Sequence, residues 1–321
     1  MRAIMADNGD FYYNICGTAE GTSYNILYQD AEGRDFQSDI ASLLAGFEKS
    51  LSVYDKTSLI SRINRNETTK VDAYFAEVFT RAKEIYSLTD GAFDASAEPL
   101  FKAWGFGGGA RYIPDEEQIK ELQSYIGMDK IRLENNQILK IDPRIVLNFN
   151  AIAKGYSADI VARFLEAEGC VNYMAEIGGE IRLKGKNLRG GDWRVGIDRP
   201  TDENLIPGQD LQVILEVSDK ALATSGNYRQ YYIENGQKMV HTIDPSTGYP
   251  VRHNLLSVTV VADDAITADA FATAFLVRGL DGSAGWIEKY PSIDALFICD
   301  EEGEYKVYSS AGMKNYIAEI R

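Results

Sequence analysis

Helical periodicity comes one segment at a time in this 321-residue chain, and strand-like runs fill the intervals between the helices. Ile40, Leu43, Leu44, Phe47 and Leu51 mark one helix face, and Phe75, Val78, Phe79, Ala82, Ile85 and Tyr86 mark a second, with Gly91 just beyond it. Pro114 opens a third helix closed at Gly127, and a fourth runs from Ala151 through Ile160, Val161, Phe164 and Leu165 to a stop at Gly169. Strand patterns fill residues 11–28, then a hairpin at 130–142 turning at Asn135-Asn136, then two strands split by Gly178-Gly179. More follow at 193–197, 211–217, a hairpin turning at Asn235-Gly236, and 255–262. A helix around Ala268–Thr273, a short helix and a hairpin at 293–299 and 305–309 close the chain. Single helices between runs of paired strands predict an α+β fold: largely antiparallel sheets, helices packed on them, and sites in clefts between the layers. A doubly wound sheet is the alternative.

No repeat, low-complexity tract or linker divides the sequence, so residues 11–321 are read as one domain. Residues 1–10 are expected to lie outside it as a disordered or appended N-terminus. They lack the apolar core of a secretory leader, and no apolar run reaches the roughly 18 residues of a membrane span. Pro99–Gly107, aromatic and glycine-rich, reads as a loop that shapes a pocket or covers a core. A composition of 45% hydrophobic and 25% charged residues is that of a globular chain. The formal charge of −15 argues against non-specific binding to nucleic acid or an anionic membrane. A phosphorylated ligand would need local donors or a divalent cation. Cys16, Cys170 and Cys299 fit no metal-ligand spacing, and their odd number leaves no fully paired disulfide set.

Four stretches carry side chains suited to chemistry. His241, one of two histidines, ends a β-branched run and is followed by Asp244-Pro245 and Thr247-Gly248, a turn with little positional slack. Lys154-Gly155 sits at a helix start, where free N–H groups and a Lys suit an anion, although the pattern is not a P-loop. Asp269 and Thr273 share a helix face at i, i+4 and suit a hard cation such as Mg²⁺. Ala223–Arg229 is a small polar loop that could hold a ligand or simply turn a hairpin. Each has a plain structural reading: a packed strand-end His, an ordinary helix start, an N-terminal Asp beside a core Thr. Neither a G-x-G-x-x-G dinucleotide fingerprint nor a G-x-S-x-G nucleophile elbow is present.

The order of these stretches settles between the readings. Ala151-Ile-Ala-Lys-Gly-Tyr156, Glu176-Ile-Gly-Gly-Glu180, Thr224-Ser-Gly-Asn-Tyr-Arg229, His241-x-Ile-Asp-Pro-x-Thr-Gly248 and Ala268-Asp-Ala-x-Ala-Thr273 together resemble the ApbE-like family, the FAD:protein FMN transferases. Upstream, Gly21-Thr22-x-Tyr24, Ser52-x-Tyr54, Gly91-x-Phe-Asp94, Pro99-Leu100 and Trp104-Gly-Phe-Gly107 extend the resemblance over roughly residues 15–310.

The resemblance implies two intimately associated lobes with the ligand cleft between them. It also implies a Mg²⁺-dependent enzyme that cleaves FAD, attaches FMN through a phosphoester to a Ser or Thr of a separate acceptor flavoprotein, and releases AMP. Carried over by motif, Asp269, Thr273 and the Ala151 carbonyl would hold Mg²⁺. Glu20, Tyr54, Ala92, Phe93, Asp94, Asn148, Lys154 and Ile243 would line the FAD site, and His241 would be the general base. Three positions depart from the family pattern: Glu20 stands where many relatives carry Met, Asn148 where Asp is common, and Ala272 where some relatives have a further acidic ligand.

The implied location is the bacterial periplasm or the outer face of the cytoplasmic membrane. This chain carries no leader and is read as the mature part, with membrane contact only through a lipid anchor on a removed segment. Two other functions stay open at this point, an FAD pyrophosphatase giving FMN and AMP, and a non-enzymatic FAD-binding protein.

Overall fold

Two-residue turns of left-handed backbone fix the register of four hairpins. They are Glu20-Gly21 (φ 54° and 73°), Asn135-Asn136 (51° and 56°), Gly178-Gly179 (62° and 100°) and Glu302-Gly303 (58° and 88°). Such turns match the right-handed twist of paired strands and favour Asn and Gly, so the turn residues announce the pairing. The computed structural model describes residues 2–7, 9–107, 113–201, 203–204, 206, 208–228, 231–234 and 237–321.

The chain opens with β1 (Arg2–Met5), β2 (Phe11–Ala19) and β3 (Thr22–Gln29). Five helices follow: α1 (Gln37–Leu51), α2 (Leu59–Asn64), α3 (Ala73–Leu88), α4 (Glu98–Ala103) and α5 (Glu116–Tyr125). The hairpin β4 (Ile131–Glu134) and β5 (Gln137–Lys140) precedes α6 (Ala153–Ala167). Then come β6 (Tyr173–Ile177), β7 (Glu180–Lys184), β8 (Trp193–Asp198), β9 (Leu211–Val217) and β10 (Ala221–Gly226). Two small hairpins, β11 (Tyr231–Glu234) with β12 (Gln237–Val240) and β13 (Ile243–Asp244) with β14 (Tyr249–Pro250), lead to β15 (Leu255–Ala262). The chain ends with α7 (Ala265–Lys289), β16 (Asp294–Glu301), β17 (Glu304–Ser309) and β18 (Ile317–Ile320).

Nine strands form one sheet in the order β1-β2-β3-β6-β7-β10-β15-β16-β17, antiparallel throughout, and β18-β9-β8 form a second, smaller sheet. The expected α+β architecture, largely antiparallel with helices packed on it, is what the chain builds. The central strands are buried on both faces. In β15 and β16, Val258, Val260, Ala295, Phe297 and Cys299 face a core shared with α3, α6 and α7. Val261, Leu296 and Ile298 face a second core against Trp193, Val213 and Leu215 of the small sheet. Burial on both sides is why Leu255–Ala262 and Ala295–Cys299 read as continuous apolar runs. A smaller core joins Trp104, Ile119, Tyr232, Met239 and Ile243, and it forms a second lobe tied to the first through β13, which packs on α7.

Several expectations need correction. Residues 2–5 are not disordered: Arg2–Met5 pairs with Phe11–Asn14 as the edge strand of the large sheet. Pro99–Gly107 is not all loop, because α4 occupies its first half; Leu100 of that helix and Trp104 after it both enter the small core. The helix expected around Ala268–Thr273 and the short helix after it are two halves of α7, bent at Gly279 (φ 73°) against His253. The Asn235-Gly236 turn and Arg229 lie outside the described residues. Among the described residues, no helix is long and apolar enough to cross a membrane.

Candidate functional site

Residues 148–155 form the spine of the site, and several of the expected residues gather at its two ends. At the first end, Asn148 Oδ1 accepts the backbone N–H of Asn150 at 2.9 Å, closing a tight turn. Asn148 N–H donates to Ala95 O at 2.8 Å, which ties the loop to the Asp94 turn. Asn150 Nδ2 donates to the hydroxyl of Tyr54 at 3.0 Å, and Tyr54 stays 82% exposed. An aromatic ring so exposed, yet tethered at its hydroxyl, is a ready stacking surface for a planar ligand. Asp94 accepts from the N–H and hydroxyl of Ser96 at 2.8 and 2.6 Å. Burial outweighs those bonds and pushes Asp94 up to about 6.

Ala92, Phe93 and Ile243, also expected at the FAD site, are buried. All three side chains are buried in apolar cores, so any contribution to a ligand comes from the backbone.

At the second end stands Lys154, in the first turn of α6. Its ammonium contacts Glu180 Oε1 at 2.5 Å. The Gly178-Gly179 turn packs on the Lys154 stem, and Glu180 comes directly after it. Glu180 is 3% exposed, and its Oε2 has no hydrogen-bond partner among the described residues. Asp269 of α7 is 4% exposed and accepts the backbone N–H of Gly155 at 3.0 Å through Oδ2. Glu20 reaches the same cluster from the β2–β3 turn, where its N–H donates to the Glu48 carboxylate.

Three carboxylates therefore surround one ammonium. Burial, followed by the charges of Glu48 and Asp269, pushes Glu20 up to about 7 against the opposing pull of Ser157 and Lys154. Burial also pushes Glu180 and Asp269 up. Lys154 moves up as well: its burial favours loss of the proton, but Glu180, Asp269 and Glu20 together outweigh it. A pocket with surplus carboxylate and hydroxyl oxygens is suited to a hard cation, which would stabilise the charged forms.

No group of three or more His, Cys, Asp or Glu side chains is set as a metal cage among the described residues. The oxygens gathered here are instead mixed. Thr273, one turn beyond Asp269, lies 3.2 Å by its hydroxyl from that of Ser225, and Ala151 sits at the head of the Lys154 helix. One carboxylate completed by hydroxyl, carbonyl and ligand oxygens is the donor set Mg²⁺ takes when it also binds phosphate, so the residues fit that ion. Ala272 faces the apolar core rather than this cluster.

His241 follows β12 and is half-buried, with its ring edge-on to Phe106 at 6.5 Å between centroids. Two contacts connect its strand to the Asp269–Thr273 face. Thr242 donates to Asn227 Oδ1, and Ser225, two residues before Asn227, meets Thr273. Asp244 accepts from the N–H and hydroxyl of Ser246 at 2.9 and 2.6 Å, so its carboxylate builds the turn after His241. His253 is a packing residue: its Nε2–H donates to Leu276 O at 2.9 Å and burial pushes its pKa down.

Sequence reasoning named neither Glu180 nor Ser157 as a site residue, and it reached Ser225 and Asn227 only as part of the Ala223–Arg229 loop. Glu180 had a signal, since it closes the Glu176–Glu180 motif immediately after the Gly-Gly turn; Ser157 had none. Two open surface grooves lie elsewhere. One runs along α3 and β4 between Lys83, Leu88 and Leu133, and the other lies beside the β13–β14 turn between Asp244, Arg252 and His253. Neither includes Tyr54, Lys154 or Asp269, so groove size does not locate the chemistry here.

Comparison with known proteins agrees with this geometry. The profile described as "ApbE family" matches residues 21–297. A curated FAD:protein FMN transferase of Vibrio cholerae serotype O1 is 35% identical over 314 residues, 95% of this chain and 92% of the relative. The solved flavin transferase ApbE from Vibrio cholerae superposes with a TM-score of 0.83 at 35% identity, over 95% of this chain and 99% of that one. The apo form of Pseudomonas stutzeri flavinyl transferase ApbE superposes with a TM-score of 0.86 at 28% identity, over 97% and 98%.

Proposed function

The chain belongs to the ApbE family, and from that premise we propose that it is an FAD:protein FMN transferase. The observation that carries this reading is the convergence of Lys154, Glu180 and Asp269 where α6 meets α7, one turn of chain from the Tyr54–Asn150 contact. A flavin ring on Tyr54 and a diphosphate at Lys154 would then lie at the two ends of one short segment.

In the reaction, a Ser or Thr hydroxyl oxygen of a separate acceptor flavoprotein bonds to the flavin-side phosphorus of FAD. The bond from that phosphorus to the bridging oxygen breaks, and AMP leaves with the bridging oxygen. His241, as neutral imidazole, takes the hydroxyl proton, a role worth roughly 10²–10⁴-fold. Lys154 opposes the negative charge of the diphosphate, and Glu180 fixes its ammonium in place. The Gly155 N–H holds the Asp269 carboxylate in one orientation. Asp269, Thr273 and the Ala151 carbonyl would hold Mg²⁺, which when bound supplies charge neutralisation at the diphosphate.

The test is incubation with FAD, MgCl₂ and a candidate acceptor, followed by intact mass of the acceptor. A mass increase equal to covalent FMN, with AMP released, supports transfer. Free FMN and AMP beside an unmodified acceptor would assign hydrolysis instead, and unchanged FAD would leave only binding. Work at the outer face of the bacterial cytoplasmic membrane belongs to this reading through the resemblance alone, and cell fractionation tests it.

A further inference from the structure

Helices α6 and α7 cap each other. The α6 side donates an amide to α7, because Gly155 N–H binds Asp269 Oδ2 at 3.0 Å. One turn further along α6, Asp159 returns the contact. Its Oδ1 accepts the N–H of Ala265 at 2.9 Å and its Oδ2 accepts the N–H of Ile266 at 2.8 Å. Those are two of the amides that a helix N-terminus leaves unsatisfied. The third, Thr267 N–H, is taken by Asp264 of α7's own N-cap at 3.0 Å. Asp159 is buried and touches neither Lys154 nor Glu180 in any hydrogen bond, so it lies behind the site rather than in it. Between the two contacts the backbones come so close that a Cβ on Gly155 would fall 2.2 Å from Ala265 O.

Asp269 lies one turn beyond Ala265, so whatever fixes the first turn of α7 fixes where the Asp269 carboxylate points. We infer that Asp159 is a positioning residue for the cation and diphosphate site, acting through the first turn of α7 to set the orientation of Asp269. An isolated N-cap could be local, and Asp264 already serves that purpose. A carboxylate from the helix that carries Lys154 does something Asp264 cannot: it locks Lys154 and Asp269 to one frame. Loss of an outer partner of this kind commonly weakens metal affinity by about 10–100-fold. The inference rests on the reading of Asp269 as a cation ligand given above.

The experiment compares wild type with Asp159→Asn and Asp264→Asn. Cation binding is read by Mn²⁺ titration followed by electron paramagnetic resonance, in the presence of ADP as diphosphate probe, and thermal melting is run alongside. Asp159→Asn keeps one acceptor oxygen but turns an NH₂ toward the Ile266 N–H. It is expected to raise the Mn²⁺ Kd about tenfold, with transfer restored at high Mg²⁺, so that the Mg²⁺ KM rises while kcat is kept. Asp264→Asn keeps an N-cap acceptor for Thr267 N–H and is expected to leave both the Kd and the melting temperature near wild type.

Should Asp159→Asn fail to fold, Asp159→Glu serves, since it keeps both oxygens but displaces the first turn of α7 by one methylene; the same rise in Kd is expected. A folded Asp159 variant with wild-type Kd and Mg²⁺ KM would overturn the inference while leaving the site reading intact. A wild type that binds no Mn²⁺ with ADP would overturn both.

Discussion

The backbone N–H of Gly155 donates to Asp269 Oδ2 across 3.0 Å, so the first turn of one helix orients the carboxylate carried by the next. The arrangement makes Asp269 a fixed oxygen rather than a mobile one, which is what a cation site requires of its anionic ligand. Asp269→Asn keeps an oxygen for Gly155 while losing the charge. AMP release is predicted to fall below detection, with circular dichroism unchanged. Full turnover of this variant in chelator-treated buffer would end the assignment.

Gly155→Ala is predicted to be among the most damaging single substitutions in the chain. The new methyl would meet Ala265 O at 2.2 Å, the Ala265 carbonyl carbon at 2.6 Å and Asp269 Cβ at 2.8 Å, and two of these are backbone atoms that cannot rotate away. The gain in helix propensity, about 1 kcal/mol, is smaller than an overpacking cost at the upper end of about 1–3 kcal/mol. Urea denaturation is the measurement, and a wild-type midpoint for Gly155→Ala would contradict the close crossing.

Tyr54 is 82% exposed and its hydroxyl accepts from Asn150, so Tyr54→Ala should change stability by no more than about 0.5 kcal/mol. It is predicted to weaken FAD binding while leaving AMP binding nearly unchanged, by calorimetry. Equal losses for the two ligands would remove Tyr54 from the flavin end.

The two histidines are predicted to separate rate from stability. His241→Ala should cut transfer by about 10²-fold or more and leave FAD binding intact. His253→Ala should keep the rate but lower the melting temperature, because it removes a ring that donates to Leu276 O and packs beside Gly279 at the bend of α7. Single-turnover transfer and thermal melts on both variants decide the matter. A His241→Ala protein with the wild-type rate would return His241 to a packing role.

Glu20 gives a pH prediction. Its pKa is raised by burial to about 7 from the ordinary 4.5, so the folded protein binds this proton more tightly than the unfolded chain does. The stability it contributes is therefore full below pH 4.5 and is lost as pH rises through 7. Glu20→Gln cannot ionise, so its stability relative to wild type should grow from pH 4.5 to pH 8. At about 1.4 kcal/mol per pKa unit the gain is at most about 3 kcal/mol. Urea midpoints with chelator at both pH values test this, and an equal difference at the two would refute it.

Much of the site was legible in single stretches. Lys154 at a helix start, Asp269 with Thr273 on one face, and His241 before a rigid turn were each readable from neighbours a few positions apart; the structure puts the first three on those helices and His241 directly after β12. What escaped was every residue whose role depends on a distant partner. Glu180 contacts Lys154 across 26 positions, and Asp159 reaches Ala265 across 106. The correction at Arg2–Met5 has the same origin: a four-residue strand has too little pattern to recognise and exists because β2 offers it an edge.

Most element types are legible along the chain, because period-2 and period-3.6 patterning and turn chemistry act between residues close in sequence. Asn135-Asn136 and Gly178-Gly179 could take the left-handed turns that pair their flanking strands, and they do. Which strands neighbour each other in the nine-stranded sheet, and which apolar core takes each of the Ala92, Phe93 and Ile243 side chains, is settled in three dimensions. The tertiary structure also decided that Glu20, Glu180 and Asp269 converge on Lys154. Those outcomes depend on burial and on close approach of distant backbone, as at Gly155 and Ala265, and such forces act through space between residues that share no local pattern.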